Sequence, residues 1–135
     1  MQRVIRASVD RAASHGRSAD RTRGRVVKPL GGLVVRTRHD ADAVVVVLVG
    51  ELDLLVVPLL TDALTRALGE PRQRLIIDLS GLTFIDSSGL HALLHANERC
   101  RAAGRELTIR PGPPNVQMVF ELTNTIDCLP FASGR

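Results

Sequence analysis

The chain is predicted to fold as a single α/β domain, with a mixed β-sheet of four to five strands packed against about three helices. Three observations predict it. Val44-Val45-Val46-Val47-Leu48-Val49 is apolar throughout, as in a strand covered on both faces. The segment after it places Leu60, Ala63, Leu64, Ala67 and Leu68 at helical spacing. Strand-like and helix-like segments then alternate to about Asn124, which favours parallel pairs joined by right-handed crossovers. The length of 135 residues and the 44% hydrophobic content suit one domain of typical size, roughly 100–150 residues. No internal repeat and no second domain is evident.

The elements follow in order. Gly32–Arg38 and Ala43–Val49 read as two strands separated by the turn-like His39-Asp40-Ala41-Asp42. Pro58–Leu68 suits a helix, with Pro58 near its first turn and Gly69 and Pro71 ending it. Leu75–Leu79 reads as another buried strand and Ser88–Arg101 as another helix. Glu106–Arg110 alternates as a strand near one edge would. Pro111-Gly112-Pro113-Pro114 forces a loop, and Val116, Val119 and Phe120 mark a short amphipathic helix ending near Asn124. Ile126–Leu129 reads as a final short strand.

Charge divides the chain in two. The formal net charge is +4, from 18 Lys/Arg and 14 Asp/Glu. Met1–Lys28 holds eight of those bases against only Asp10 and Asp20, so the remainder is mildly acidic, with ten bases and twelve acids. A nucleic-acid partner inferred from the overall charge would be an artefact of this tail. Three Phe and no Trp or Tyr argue against surfaces that stack nucleobases, and direct nucleic-acid binding is not expected. Residues 1–28 read as a basic, disordered extension, because so little apolar surface cannot offset ordering entropy. Electrostatic contact with an anionic partner is the second reading of the tail, and its Arg- and Ser-rich composition also faintly resembles a transit peptide. It has no hydrophobic signal core, and no apolar stretch reaches spanning length, so no membrane span is expected. Cys100 and Cys128 are too few and too far apart for a disulfide framework or a zinc site. They read as reduced, mostly buried thiols of a cytoplasmic protein.

The most informative segment is Phe84-Ile85-Asp86-Ser87-Ser88-Gly89-Leu90. It follows the Leu75–Leu79 strand and opens a helix, which puts a hydroxyl and a carboxylate at the helix start. Ser87 and Ser88 can cap that helix, a contribution of about 1 kcal/mol, or one of them can accept a phosphate. Asp86 can complement the helix N-terminus or orient an acceptor serine. Gly89 allows close backbone approach or reflects tight packing. Asp53, at the turn before the first helix, reads as a local cap or as a contact residue.

Taken together, Gly50-Glu51-Leu52-Asp53, Leu75-Ile76-Ile77-Asp78-Leu79-Ser80 and the Asp86-Ser87-Ser88-Gly89 turn resemble, in order and spacing, a STAS domain. They are most similar to the bacterial anti-sigma factor antagonists, over about Gly31 to Phe131. The resemblance implies a STAS domain over residues 29–135 and a protein that is not an enzyme. It implies that Ser87, directly after Asp86, is the phosphoacceptor, and that the kinase is the anti-sigma factor itself. The unphosphorylated protein would bind that factor and release the sigma factor; a phosphatase would reset Ser87. Partner-binding residues on this reading are Asp53, Asp86, Ser87, Ser88 and Gly89. The alternative is a STAS scaffold or adaptor in a lipid-transport or stress-signalling assembly, indifferent to Ser87.

Two departures from the family pattern carry expectations. Leu54-Leu55-Val56-Val57 is more apolar than usual there: if exposed, the partner surface is greasy; if buried, the first helix begins late. The chain also ends at Arg135 without a C-terminal helix after the last strand, which favours weak self-association. Catalysis finds little support. Asp78 and Asp86 flank what reads as one short loop, with no third group at site spacing; Asp78 reads as a strand-end residue tying that loop down. His91, His95 and Glu98 share a helical face at metal-compatible spacing but lie opposite the leucines, so they read as solvated. No catalytic residue, metal ligand or cofactor is expected.

Overall fold

The computed structural model describes residues 3–5 and 32–133. β1 is Arg3–Ile5, β2 Leu33–Asp40 and β3 Ala43–Leu52. A 3-10 turn at Leu54–Val56 leads into α1, Val57–Leu68. β4 (Arg74–Ile85), α2 (Ser87–Ala102), β5 (Glu106–Arg110) and α3 (Pro114–Leu122) follow. The five strands form one sheet in the order β1-β2-β3-β4-β5. β1, β2 and β3 pair antiparallel, while β3-β4 and β4-β5 are parallel. This is the predicted mixed α/β sheet with three helices. The expected disorder of the tail falls outside the described residues except at Arg3–Ile5, which pair with Val35–Thr37 as an edge strand.

The valine run behaves as its composition requires. Val44, Val46 and Leu48 enter the main core, while Ala43 and Val45 join Ile76 in a second buried cluster. The helices bury their stripes in the main core: Leu60, Ala63, Leu64 and Ala67 from α1, Leu90, Leu93, Ala96 and Cys100 from α2, and Val116 and Phe120 from α3. Phe120 stacks edge-to-face on Phe131 at 5.0 Å, a geometry worth about 0.5–1.5 kcal/mol beyond the area buried.

Three expectations are corrected. The third strand does not stop at Leu79; β4 runs on to Ile85. Two register shifts against β3, at Val47/Val49 and Gly50/Glu51, absorb the residues that read as loop punctuation. Asp78 is therefore interior to the strand. Its carboxylate accepts the Ser80 N–H at 2.9 Å and faces Arg110 of β5 at 3.5 Å, so it still holds Ser80, now within a bulged strand. Ile126–Leu129 is not a strand: Ile126–Cys128 forms a 3-10 turn closed by Cys128 N–H to the Thr125 carbonyl at 2.9 Å. Few residues separate the end of α3 from the β5 edge, and the tight turn uses them. Past that turn the chain bridges β5 at Phe131, opposite Ile109, through the Pro130 carbonyl and the Ala132 N–H. Of the two thiols, Cys100 is buried as expected but Cys128, on that turn, is exposed.

Gly50 is required where β3 bends towards the site. Its φ of +115° lies in the region that favours glycine, and a Cβ there would collide with the Gly32 carbonyl.

Candidate functional site

The parallel pairing of β3 with β4 builds the site. Leu52 lies opposite Ile85 at the carboxyl ends of the two strands, and the Asp86 N–H donates to the Leu52 carbonyl at 3.2 Å. Asp53 and Asp86 therefore leave the sheet side by side. Both are extended, with φ/ψ of −131°/−175° and −112°/−174°. Each turns its carboxylate back onto the chain it starts: Asp53 Oδ1 accepts the Leu55 N–H at 3.1 Å, and Asp86 Oδ1 accepts the Gly89 N–H at 2.9 Å.

This settles which residue caps α2. Asp86 is the N-cap, Ser87 occupies the first helical position and Ser88 the second. The capping role that sequence left open to the serines is taken by the carboxylate. Ser87 is exposed, and its hydroxyl has no hydrogen-bond partner among the described residues. Ser88 is half-buried and faces a trough between α1 and α2. Gly89 is buried against the neighbouring strand: an added Cβ would sit 2.7 Å from the Leu52 carbonyl oxygen and 2.9 Å from Ile85 Cγ1. Glycine at this position is what lets α2 start against β3. Asp53, Asp86, Ser87, Ser88 and Gly89 thus share one end of the sheet.

The surroundings are apolar. Leu54 and Leu55 are 67% and 63% exposed, while Val56 is buried. The departure noted in the sequence thus resolves both ways, with two leucines displayed and α1 beginning only at Val57. Phe84, opposite Glu51 near the end of β4, is 46% exposed. The Thr83 carbonyl beside it accepts from Asn115 Nδ2 at 3.0 Å, which brings the start of α3 alongside. Sequence reasoning did not single out Phe84 or Asn115, both exposed here. Alternation along β4 would have exposed Phe84 only to a reader who knew the bulges.

Electrostatically, the first turn of α2 carries no acid beyond the cap. Helix N-termini have unpaired N–H groups and a dipole favouring negative charge. His91, His95 and Glu98 are exposed on α2 as expected, and no group of three or more potential metal ligands occurs among the described residues. Burial pushes the Cys100 thiol up, against the pull of Arg99 and Arg105, so this cysteine is a core residue rather than a nucleophile. Among the described residues no helix is long and apolar enough to cross a membrane.

A family profile described as "Mlab, STAS domain" matches residues 35–129. The chain belongs to the STAS domain family. Its sequence is 32% identical over 63 residues to a putative anti-sigma factor antagonist, BtrV, of Bordetella bronchiseptica, covering 47% of this chain and 54% of that protein. The aligned part thus spans about half of that relative. An anti-sigma factor antagonist from Mycobacterium paratuberculosis has the same fold, with a TM-score of 0.69 at 21% identity over 80% of this chain and 92% of that one. SpoIIAA in its unphosphorylated form superposes with a TM-score of 0.60 at 23% identity, over 73% of this chain and 88% of that one. The sequence relative and these two fold relatives are thus named as putative or established anti-sigma factor antagonists.

Proposed function

We propose that this protein is an anti-sigma factor antagonist switched by phosphorylation of Ser87. In this reading the unphosphorylated chain binds an anti-sigma factor in the cytoplasm, through the surface around Asp53, Asp86, Ser87, Ser88 and Gly89, and so frees a sigma factor. The observation that carries it is the division of labour at the start of α2. Asp86 caps the helix, which leaves the Ser87 hydroxyl exposed and without a structural bond. SpoIIAA, which shares the fold, also exists in a phosphorylated form.

The partner on this reading is also the kinase. The Ser87 Oγ–P bond forms as the bond between the γ-phosphorus of ATP and its bridging oxygen breaks; ADP leaves and the hydroxyl proton passes to a base of the kinase. A phosphatase reverses the step by hydrolysing the ester. The chain itself supplies an acceptor and a surface, not catalysis.

The fold tolerates the product while the complex does not. Phosphoserine adds about 1.5–2 negative charges, next to first-turn N–H groups that favour them. Against a surface shaped for a neutral hydroxyl beside Asp86, the same charge meets repulsion and a desolvation cost of several kcal/mol. At about 1.4 kcal/mol per tenfold, a loss of about a hundredfold to a thousandfold in affinity needs no refolding.

Affinity capture from the source cells with wild-type, Ser87→Ala and Ser87→Asp baits tests this. A kinase-like partner retained by Ser87→Ala and lost with Ser87→Asp, at least a hundredfold weaker in a direct titration, is expected. The same partners on all three baits would make the protein a constitutive adaptor.

A further inference from the structure

Beside the Ser87 turn, α1 and α2 leave an open trough of about 360 Å³. Its floor and one wall are apolar: Leu54 and Val57 at the mouth, then Leu60 and Leu64 of α1, facing Ala92 and Ala96 of α2. The other rim carries nitrogen donors, one of them the permanent cation Arg99. His91, His95 and Arg99 recur every four residues along α2 and all line the trough. At 1.5 Å per residue they span about 12 Å along the helix. Arg99 donates to Thr65 Oγ1 across the far end at 3.1 Å, so its charge is held over the trough.

No carboxylate lines this space among the described residues. On α1 the lining polar residue is Thr61, and Asp62 and Arg66 are exposed outside the lining. On α2 the nearest acid, Glu98, is exposed three residues beyond His95 and is likewise outside it. An apolar floor beside a rim of two imidazoles and one guanidinium suits an amphipathic partner that brings hydrogen-bond-accepting carboxylates along one edge. The trough is open to solvent, and Leu54 in its lining is two-thirds exposed. That shape suits a helix laid in a groove rather than a small molecule, which pockets enclose by 70–90% or more.

We propose that this trough docks an amphipathic helix of the binding partner, with carboxylates at four-residue spacing along the edge that meets His91, His95 and Arg99. The inference deepens the partner-binding reading above and rests on it for the partner's identity, but not on Ser87 being phosphorylated. It makes the contact two-part: a switchable point at Ser87 and a permanent groove behind it.

The test uses the full chain, isotopically labelled for NMR, and two synthetic helical peptides with the same leucine positions. One carries Glu and the other Lys at four-residue spacing along one edge. The Glu peptide is expected to perturb amides around Leu54, Thr61 and His95, and to bind at least tenfold more tightly than the Lys peptide. His95→Glu with Arg99→Glu should weaken the Glu peptide about tenfold and reverse the preference. Thr61→Glu, on the other wall, gives the same direction independently if the double variant loses its folded spectrum. Ser87→Asp should change Glu-peptide affinity by less than twofold, which separates this inference from the phosphorylation switch. Equal binding of the two peptides, perturbations mapping elsewhere, or no binding at millimolar peptide would overturn it.

Discussion

The turns that follow β3 and β4 are near copies in backbone and opposites in what they display. Both begin with an extended aspartate at the carboxyl end of parallel strands, and both aspartates accept a backbone N–H within three residues. After Asp86 the α-helix starts at once and shows solvent a serine. After Asp53 a three-residue 3-10 turn intervenes, showing Leu54 and Leu55 and burying Val56, and α1 then starts from Val56 without a side-chain cap. The shared device is a carboxylate that does the structural holding. Once it does, the next residue is released from any folding duty. One turn displays an exposed hydroxyl, the phosphoacceptor proposed above; the other displays apolar area.

The largest expected effect on stability lies where the two turns touch. Gly89→Ala places a Cβ under 3.0 Å from Leu52 and Ile85, including a backbone oxygen that has little room to yield. Overpacking of this kind costs typically about 1–3 kcal/mol. The roughly 1 kcal/mol that alanine gains over glycine inside a helix offsets part of it. A net loss of up to about 2 kcal/mol in urea unfolding is expected, with weaker partner binding as the turns are pushed apart. A variant as stable as wild type would show that the turns are not packed as one unit.

The next effect ranks the two carboxylates. Asp86→Ala removes the cap of a sixteen-residue helix and leaves the N–H of a buried glycine without its acceptor, for a loss of about 1 kcal/mol. Asp53→Ala removes an exposed bond from a three-residue turn. The low end of the capping range, about 0.5 kcal/mol, is expected there. Thermal unfolding of both variants under one buffer decides the order; a larger loss for Asp53→Ala would reverse the ranking.

How much of this was legible in the sequence depends on whether a residue's role is set locally. The valine run of β3, the stripes of α1 and α2 and the grouping of Asp53 with the Asp86–Gly89 turn all follow from periodicity or from motif, and the sheet assembles them as expected. The length of β4 was hidden because Ser80-Gly81 reads as a terminator unless β3 is known to lie beside it. There an added Cβ on Gly81 would come within 3.0 Å of Val49 Cγ2. Exposure of Phe84 follows from the same bulges. The choice among Asp86, Ser87 and Ser88 as the cap turned on backbone dihedrals, which composition does not encode. His91 and His95 were legible as exposed, but their place on one wall of a trough required α1 to be set against α2.

The smallest effect on stability is expected from Leu54→Ser with Leu55→Ser, and it is the sharpest test of the comparison. Both side chains are mostly in solvent, so little apolar area is lost from the folded core and the stability change should stay within about 0.5 kcal/mol. Exposed leucines beside the proposed switch residue have a cost in solubility that a merely structural turn has no reason to bear. If they are the permanent half of the contact, affinity for the partner retained by the Ser87→Ala bait should fall about tenfold, or about 1.4 kcal/mol, with the fold unchanged. The same double substitution in a Ser87→Asp background should change little, since the contact is already broken there. A loss of stability above 1 kcal/mol would instead place the leucines in the fold, and the two turns would then differ in structure rather than in what they offer a partner.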